Sequence, residues 1–303
     1  MKLTRWAFDP LEQQIQDSYF DSVNRPIYFI NNNFVEKKNA FIHVNDIGLL
    51  RGFAVFDYLK TYFGIPFHLS DHIERLYNSA KLIGLEINRS KNKINNIVKE
   101  LVKKNNFPES SIRIVVTGGI GINSKSLGEP TLIITCDPRN EIDNSLYSTG
   151  IKIRSVQDVR DIPTAKTINY THAIKYLNEF TPKGFCEVLY IANDLVLECT
   201  SSNIFFIKDN RLVTPKENLL SGITRNLILS ICKNDFSIEE RNVSFTELLQ
   251  ADEVFITSTD KEILPVICID DVKIGDRNVG DSAKSIMSAF QEYVNSKIWI
   301  DKS

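Results

Sequence analysis

Apolar and polar positions along this 303-residue chain alternate with a period of two in some stretches and recur every three to four residues in others. The two rhythms predict where strands and helices lie. The first 25 residues are polar with scattered aromatics (Trp6, Phe8, Tyr19, Phe20) and read as an extension that packs on the domain or on a neighbour. Tyr28–Ile30 and Phe34–Val35 flank three asparagines, which predicts a hairpin because asparagine tolerates positive φ, and Ala40–Val44 predicts a third strand. Phe53–Tyr62 predicts a long strand, turned by Gly64–Pro66 into Phe67, His68 and Leu69. A helix follows, opened by a capping box of Asp71 and Glu74, carrying Ile73, Leu76, Tyr77, Ala80 and Ile83 on one face, and ended by Gly84. A second amphipathic helix presents Ile94, Ile97, Val98, Leu101 and Val102, with Ser90 as its cap and Lys103–Lys104 at its negative end. Ser111–Thr117 and Thr131–Cys136 predict strands on either side of the loop GGIGINSKSLGEP, whose spacing fits no nucleotide-binding motif and which reads as an active-site lid.

Residues 137–149 are turn-rich and mark a boundary between a small α+β domain (26–136) and a second domain (150–303). Beyond it, Lys166 stands between Pro163 and a helical pattern starting near Tyr170, on the exit of a loop. Cys186–Ala192, the turn Asn193–Asp194 and Leu195–Cys199 predict a hairpin; Ile204–Lys208, Asp209–Asn210 and Arg211–Thr214 predict another that continues the same sheet. SGITRN opens a helix at Gly222, Ser244 with Glu247 caps a short helix, Glu253–Thr257 is a strand ending at Ser258–Thr259, and Ser282 to about Asn295 is a closing helix.

Composition narrows the class. A hydrophobic fraction of 43% and a charged fraction of 24% are those of an ordinary globular protein, so disorder and collagen-like repeats are excluded. A net charge of −2 gives no electrostatic case for nucleic acid or an anionic membrane. No apolar run reaches the roughly 18 residues of a spanning helix, and the start lacks a secretory pattern. Five widely spaced cysteines without a C-x-x-C read as reduced thiols, so the expectation is a soluble cytoplasmic protein. His68 and His72 are four apart, but a helix beginning at Asp71 does not hold both, and no metal site is expected.

The candidate chemistry rests on a few side chains. Glu198 ends a strand among apolar neighbours, where a carboxylate is desolvated, paired or functional. Taken singly, Lys166 reads as a surface lysine, Glu198 as a strand-end carboxylate, and Arg75, opposite the apolar stripe of its helix, as a solvated arginine. The unpaired amides of Ile223 and Thr224 at a helix start suit an anion, and Ser258 and Thr259 offer hydroxyls.

Six segments, DIGLLRGFAVFDYLKTYFGIPF, HIERLYNSA, IPTAKTINY, LECTSSNIFFIKDNRLVTP, SGITRN and DEVFITSTDKEILPV, together resemble the class IV (fold-type IV) pyridoxal-phosphate aminotransferases. The likeness spans about residues 27 to 295 and includes branched-chain aminotransferases, D-amino acid aminotransferases and aminodeoxychorismate lyase. It implies an α+β fold, with a small α+β domain and a larger pseudo-barrel β domain with flanking helices, pyridoxal 5′-phosphate between them, and a homodimer that completes the pocket. It further implies that Lys166 bonds covalently to the cofactor and moves the substrate Cα proton, that Glu198 pairs with the pyridine nitrogen, and that Tyr170 lies near the phenolic oxygen. Arg75, the Ile223 and Thr224 amides and the Ser258–Thr259 hydroxyls would hold the phosphate.

Phe56 matches a pocket aromatic of the branched-chain enzymes and Arg113 an arginine that meets the side-chain carboxylate of glutamate. The resemblance therefore implies exchange between a hydrophobic, branched-chain-like amino acid and 2-oxoglutarate. Ser111 and Asp260 depart from that subgroup, which has a tyrosine and a small neutral residue there. The D-amino acid enzymes carry an arginine and a histidine where this chain has Thr117-Gly118-Gly119. Lys166-x-x-Asn169 fits the lyase as well. A non-enzymatic vitamin B6 binder would not need Lys166, Glu198 and Arg75 together.

Overall fold

A computed structural model describes residues 26–302; the N-terminal extension expected from the sequence lies outside the described residues. The first half builds a six-stranded antiparallel sheet from β1 (Ile27–Ile30), β2 (Asn33–Glu36), β3 (Ala54–Tyr62), β4 (Ile65–Pro66), β5 (Ser110–Ile120) and β6 (Glu129–Pro138), in the order β2-β1-β6-β5-β3-β4. Between strands lie α1 (Ile47–Arg51), α2 (Leu69–Leu82) and α3 (Lys91–Asn105). α2 and α3 bury Ile73, Leu76, Ala80, Ile94, Val98 and Leu101 against Val55, Leu59, Ile112 and Ile114 of the sheet. Because side chains alternate along a strand, β3 sends Val55, Asp57 and Leu59 toward the helices and Phe56, Tyr58, Lys60 and Tyr62 toward the second half of the molecule.

That second half contains α4 (Ser145–Thr149), β7 (Ile151–Gln157), α5 (Thr171–Phe180), β8 (Glu187–Ala192), β9 (Leu195–Cys199), β10 (Asn203–Lys208), β11 (Arg211–Thr214), α6 (Ile223–Ile231), β12 (Ser237–Glu240), α7 (Phe245–Leu249), β13 (Glu253–Ser258), β14 (Glu262–Ile269), β15 (Val272–Lys273) and α8 (Asp281–Lys302). Its strands form a mixed nine-stranded sheet, β12-β11-β10-β13-β14-β7-β8-β9, with β15 on β14. Only Thr200, Ser201 and Ser202 separate β9, at one edge, from β10, deep in the other half of the sheet. So short a connection requires the sheet to curl until its two parts meet, and the site forms at that junction. A shared core of Tyr62, Phe67, Phe205, Phe255, Phe290 and Val294 joins β3 and the segment after β4 to β10, β13 and α8.

Four expectations need correction. Ala40–Val44 is not a strand: after β2 the chain makes a 3₁₀ turn at Lys37–Asn39 and runs on without a ladder partner among the described residues, leaving Phe41 76% and Val44 68% exposed. Strand propensity alone cannot fix a strand without a neighbouring ladder. The capping box at Asp71 does not form, because α2 begins two residues earlier at Leu69, with His68 in the left-handed region as its cap. Asp71 instead contacts His68 Nδ1 at 2.6 Å and Glu74 pairs with Lys91. The loop after Thr117 extends β5 to Ile120 through a bulge, and none of its residues borders the cavity described below, so it is no lid of that cavity within this chain. The closing helix runs on to Lys302. β7, β12, β14 and β15 had no counterpart in the sequence reading.

The hairpin signals hold in detail. Asn31, Asn193, Asp194, Asp209 and Asn210 all take positive φ between 50° and 63°. Ser90 accepts from the Lys93 amide and Ser244 from the Glu247 amide, each at the start of its helix.

Candidate active site

Strand β3 holds the lysine. The Phe56 amide donates to the Lys166 carbonyl at 2.9 Å, the Ile168 amide donates to the Ala54 carbonyl at 3.2 Å, and Lys166 N–H donates to the buried Ser79 hydroxyl at 3.0 Å. The lysine is thus pinned by β3 and α2, although its own neighbours in sequence lead into α5. Its ammonium lies 4.6 Å from the Phe56 ring centroid. Desolvation, then the charge of Arg75, lowers its pKa to about 7.

Glu198, at the curled junction, is 5% exposed. Its Oε2 accepts from the Leu220 amide at 3.0 Å and from Asn203 Nδ2 at 3.3 Å, while Oε1 pairs with Arg160. Burial raises its pKa, and Arg160 works in the opposite direction. Arg160 also donates from Nη1 to the Ala165 carbonyl at 3.4 Å, so one guanidinium ties the lysine's loop to this carboxylate.

Arg75 is not solvated, contrary to the reading of its helix alone. Its Nε and Nη2 each donate at 2.8 Å to Asp57, a fully buried carboxylate that also contacts His72 Nδ1 at 2.7 Å. Burial opposes ionisation of Asp57, but Arg75 and then His72 outweigh it and the pKa falls below the usual carboxylate range. Two donors on one carboxylate fix the guanidinium plane and leave Nη1 without a hydrogen-bond partner among the described residues. Nearby, α6 starts at Gly222 with no side chain capping it. A Cβ on Gly222 would stand 2.0 Å from Asn203 Oδ1, so only glycine leaves this helix end open.

These groups surround a cavity of about 330 Å³. Phe56, Arg75, Arg113, Lys166, Tyr170, Glu198, Ile223, Thr224, Ser258, Thr259 and Asp260, each singled out from the sequence, all line it. The Tyr170 and Phe56 rings meet edge to face at 5.6 Å, and burial raises the Tyr170 phenol's pKa. Ser258 accepts from the Lys261 amide at 3.1 Å and so shapes the turn after β13 as well as facing the cavity. The sequence reading missed Tyr58, Arg160, Thr257 and Lys261, which also line it, and Asp57 and His72 behind it. The alternation of β3 could have found Tyr58; no local pattern marks Arg160. A roomier cavity of about 680 Å³ shares Arg160, Tyr170 and Thr200 with the first, but it lacks the lysine and Glu198.

The lining suits pyridoxal 5′-phosphate on three counts. A lysine of lowered pKa faces a buried carboxylate, an uncapped helix start meets an arginine with a free edge, and the buried Thr257 hydroxyl has no hydrogen-bond partner among the described residues.

The family profile described as amino-transferase class IV matches residues 54–269. A putative branched-chain-amino-acid aminotransferase of Methanocaldococcus jannaschii is 32% identical over 274 residues, covering 87% of this chain and 95% of that one. A D-alanine aminotransferase of Staphylococcus haemolyticus is 29% identical over 284 residues, covering 89% and 98%. Among solved structures, the branched-chain amino acid aminotransferase of Escherichia coli superposes with a TM-score of 0.83 at 26% identity, over 89% of this chain and 94% of that one. A T.th. branched-chain enzyme solved with pyridoxamine 5′-phosphate gives 0.83 at 26% identity, over 90% and 95%. With the profile running through both sheets and relatives aligned along nearly their whole length, the chain belongs to the class IV aminotransferases.

Proposed function

We propose that this class IV aminotransferase, working with pyridoxal 5′-phosphate, exchanges the amino group between a hydrophobic, branched-chain-like amino acid and 2-oxoglutarate. The observation that carries the reading is one cavity that holds a lysine poised near neutrality, an edge-to-face Phe56–Tyr170 wall, and at its mouth Arg113 with no ion-pair partner among the described residues. The cofactor, when bound, supplies a ring that accepts the electrons left behind as the Cα proton departs. Everything else falls to the chain. Arg75 and the open start of α6, with Thr259 and Ser258, bind the phosphate; Glu198 keeps the ring nitrogen protonated; Tyr170 holds the phenolic oxygen. Lys166, with its amine near pH 7 balance, takes the proton from Cα and returns it. Phe56 and Tyr170 exclude water and receive an apolar side chain, and Arg113 receives the carboxylate of the dicarboxylic partner.

We read residues 26–136 and 150–303 as two domains with the site between them, and the active species as a homodimer. Exposed Phe41, Val44, Leu49 and Ile122 supply apolar surface for a second copy. A second reading, action on D-amino acids, is favoured by the likeness to D-alanine aminotransferases.

The test is to load purified protein with the cofactor, add single L- and D-amino acids, and follow the cofactor's absorbance. Conversion to the amine form by L-leucine or an aromatic L-amino acid, reversed by 2-oxoglutarate, is expected. Conversion by D-amino acids alone would replace this reading with the second. Release of pyruvate without an amino acceptor would replace both with a lyase.

A further inference from the structure

The charged groups around the cavity are nearly all matched within the protein: Arg75 with Asp57, Arg160 with Glu198, Arg225 with Glu240 and Lys261 with Glu187. Apart from Lys166, the cavity-lining charges without an opposite partner among the described residues are Arg113 and Asp260. They belong to different sheets and border the same ring. Arg113 stands directly opposite Tyr58 in the β3–β5 ladder, its guanidinium 6.0 Å from the Tyr58 ring centroid. Asp260, in the turn between β13 and β14, has Oδ1 3.2 Å from the Tyr58 hydroxyl.

The Tyr58 hydroxyl also lies 2.9 Å from Ser111 Oγ, on the same face of β5 as Arg113. A phenol has one proton, and an ionised carboxylate can only accept. Tyr58 therefore donates to Asp260 and accepts from Ser111. Burial raises the Tyr58 pKa, so that proton stays in place at neutral pH. The adjacent Lys60 is 2.6 Å from Glu262 and 3.5 Å from the Asp260 carbonyl, which anchors the turn's backbone but leaves the carboxylate's direction to Tyr58.

We propose that Tyr58 is a positioning residue of the substrate site, whose hydroxyl, braced by Ser111, holds the Asp260 carboxylate away from Arg113 and so keeps Arg113 free for a substrate carboxylate. The inference rests on the reading of Arg113 given above. A guanidinium and a carboxylate on one cavity wall otherwise find each other, since a charge-assisted pair is the strongest contact either can make. An internal carboxylate competes at an effective concentration on the order of millimolar, comparable to the upper range of ordinary KM values. The two departures from the branched-chain pattern, Ser111 and Asp260, are thereby parts of one device.

The test compares KM for 2-oxoglutarate with that for 4-methyl-2-oxopentanoate, which has no side-chain carboxylate. Tyr58→Phe should raise KM for 2-oxoglutarate about tenfold, several times more than for the monocarboxylate, with kcat much less affected. The double variant Tyr58→Phe/Asp260→Asn should bring that KM back to the wild-type value or below, because the competing acid is gone. A merely structural Tyr58 would not be rescued in this way. The crystal structure of cofactor-loaded Tyr58→Phe should show Asp260 within about 4 Å of Arg113. Asp260 unmoved in that structure, or no rescue by the second substitution, would overturn the proposal. Arg113→Gln separates the two ideas: an unchanged KM for 2-oxoglutarate there refutes the role of Arg113, while the Tyr58→Phe structure still decides whether the hydroxyl holds Asp260.

Discussion

With Lys166 as the proposed cofactor-bonding residue, its lowered pKa should make the cofactor-free protein a fast trap for pyridoxal 5′-phosphate near neutral pH. Only a neutral amine attacks the cofactor's aldehyde. An ordinary lysine, at 10.5, is roughly 0.1% neutral at pH 7.5, whereas one at about 7 is roughly three-quarters neutral. Capture should therefore be several hundred-fold faster than the ordinary value allows. In a stopped-flow experiment from about pH 5.5 to 9.5, the second-order rate should climb about tenfold per pH unit and then level off near pH 7. Arg75 supplies the largest part of the shift after desolvation, so Arg75→Gln should move the midpoint upward. The now unopposed Asp57 pushes the same way, while burial still keeps the midpoint below 10.5. Because Arg75 is also assigned to the phosphate, this comparison uses pyridoxal, which lacks one. A rate that keeps rising tenfold per unit up to about pH 9 in the wild type would refute the reasoning.

Other perturbations probe other parts of the site. Glu198→Gln removes the anion proposed to keep the ring nitrogen protonated and leaves Arg160 without its carboxylate; kcat should fall by about two orders of magnitude or more, with the cofactor still bound, and turnover within threefold of wild type would make Glu198 structural. Gly222→Ala drives a methyl group into Asn203 Oδ1, so the start of α6 must shift; the preference for pyridoxal 5′-phosphate over pyridoxal should drop, with about 1–3 kcal/mol lost from stability, and an unchanged preference in binding titrations would remove α6 from the phosphate site. Ser79→Ala leaves the Lys166 amide without its acceptor, which should cost about 1–3 kcal/mol in denaturant unfolding; a smaller loss would mean water replaces the hydroxyl.

Much of this arrangement was legible in the sequence wherever the signal was local. The Asn-Asp and Asp-Asn turns announce themselves because few other residues accept positive φ, and Ser90 and Ser244 because a helix start needs an acceptor. Where an element depends on a distant neighbour, the pattern misleads. Ala40–Val44 has the composition of a strand and no ladder to join among the described residues, whereas Ile151–Gln157 becomes a central strand only because β8 and β14 flank it. The site shows the same division. Lys166 and Glu198 were marked by odd placement, but Arg160 reaches its carboxylate across 38 residues of sequence, and Arg75 looked solvated until Asp57, 18 residues earlier, was seen beneath it.

Strand β3 gives the site its common frame of reference. From one face it grips Arg75 through Asp57; along its edge it holds the Lys166 backbone; from its other face it reaches Asp260 through Tyr58 and Glu262 through Lys60. Asp57, the hydrogen bonds to the Lys166 backbone and Tyr58 all start from this one strand, so Arg75, the lysine and Asp260 are each referred to the same rod. A common support of this kind limits errors in their mutual spacing, which matters where a misplacement of about 1 Å is costly. The same economy makes β3 brittle to length changes: a single inserted residue would exchange its faces, aiming the carboxylate at the cavity and the phenol at the helices.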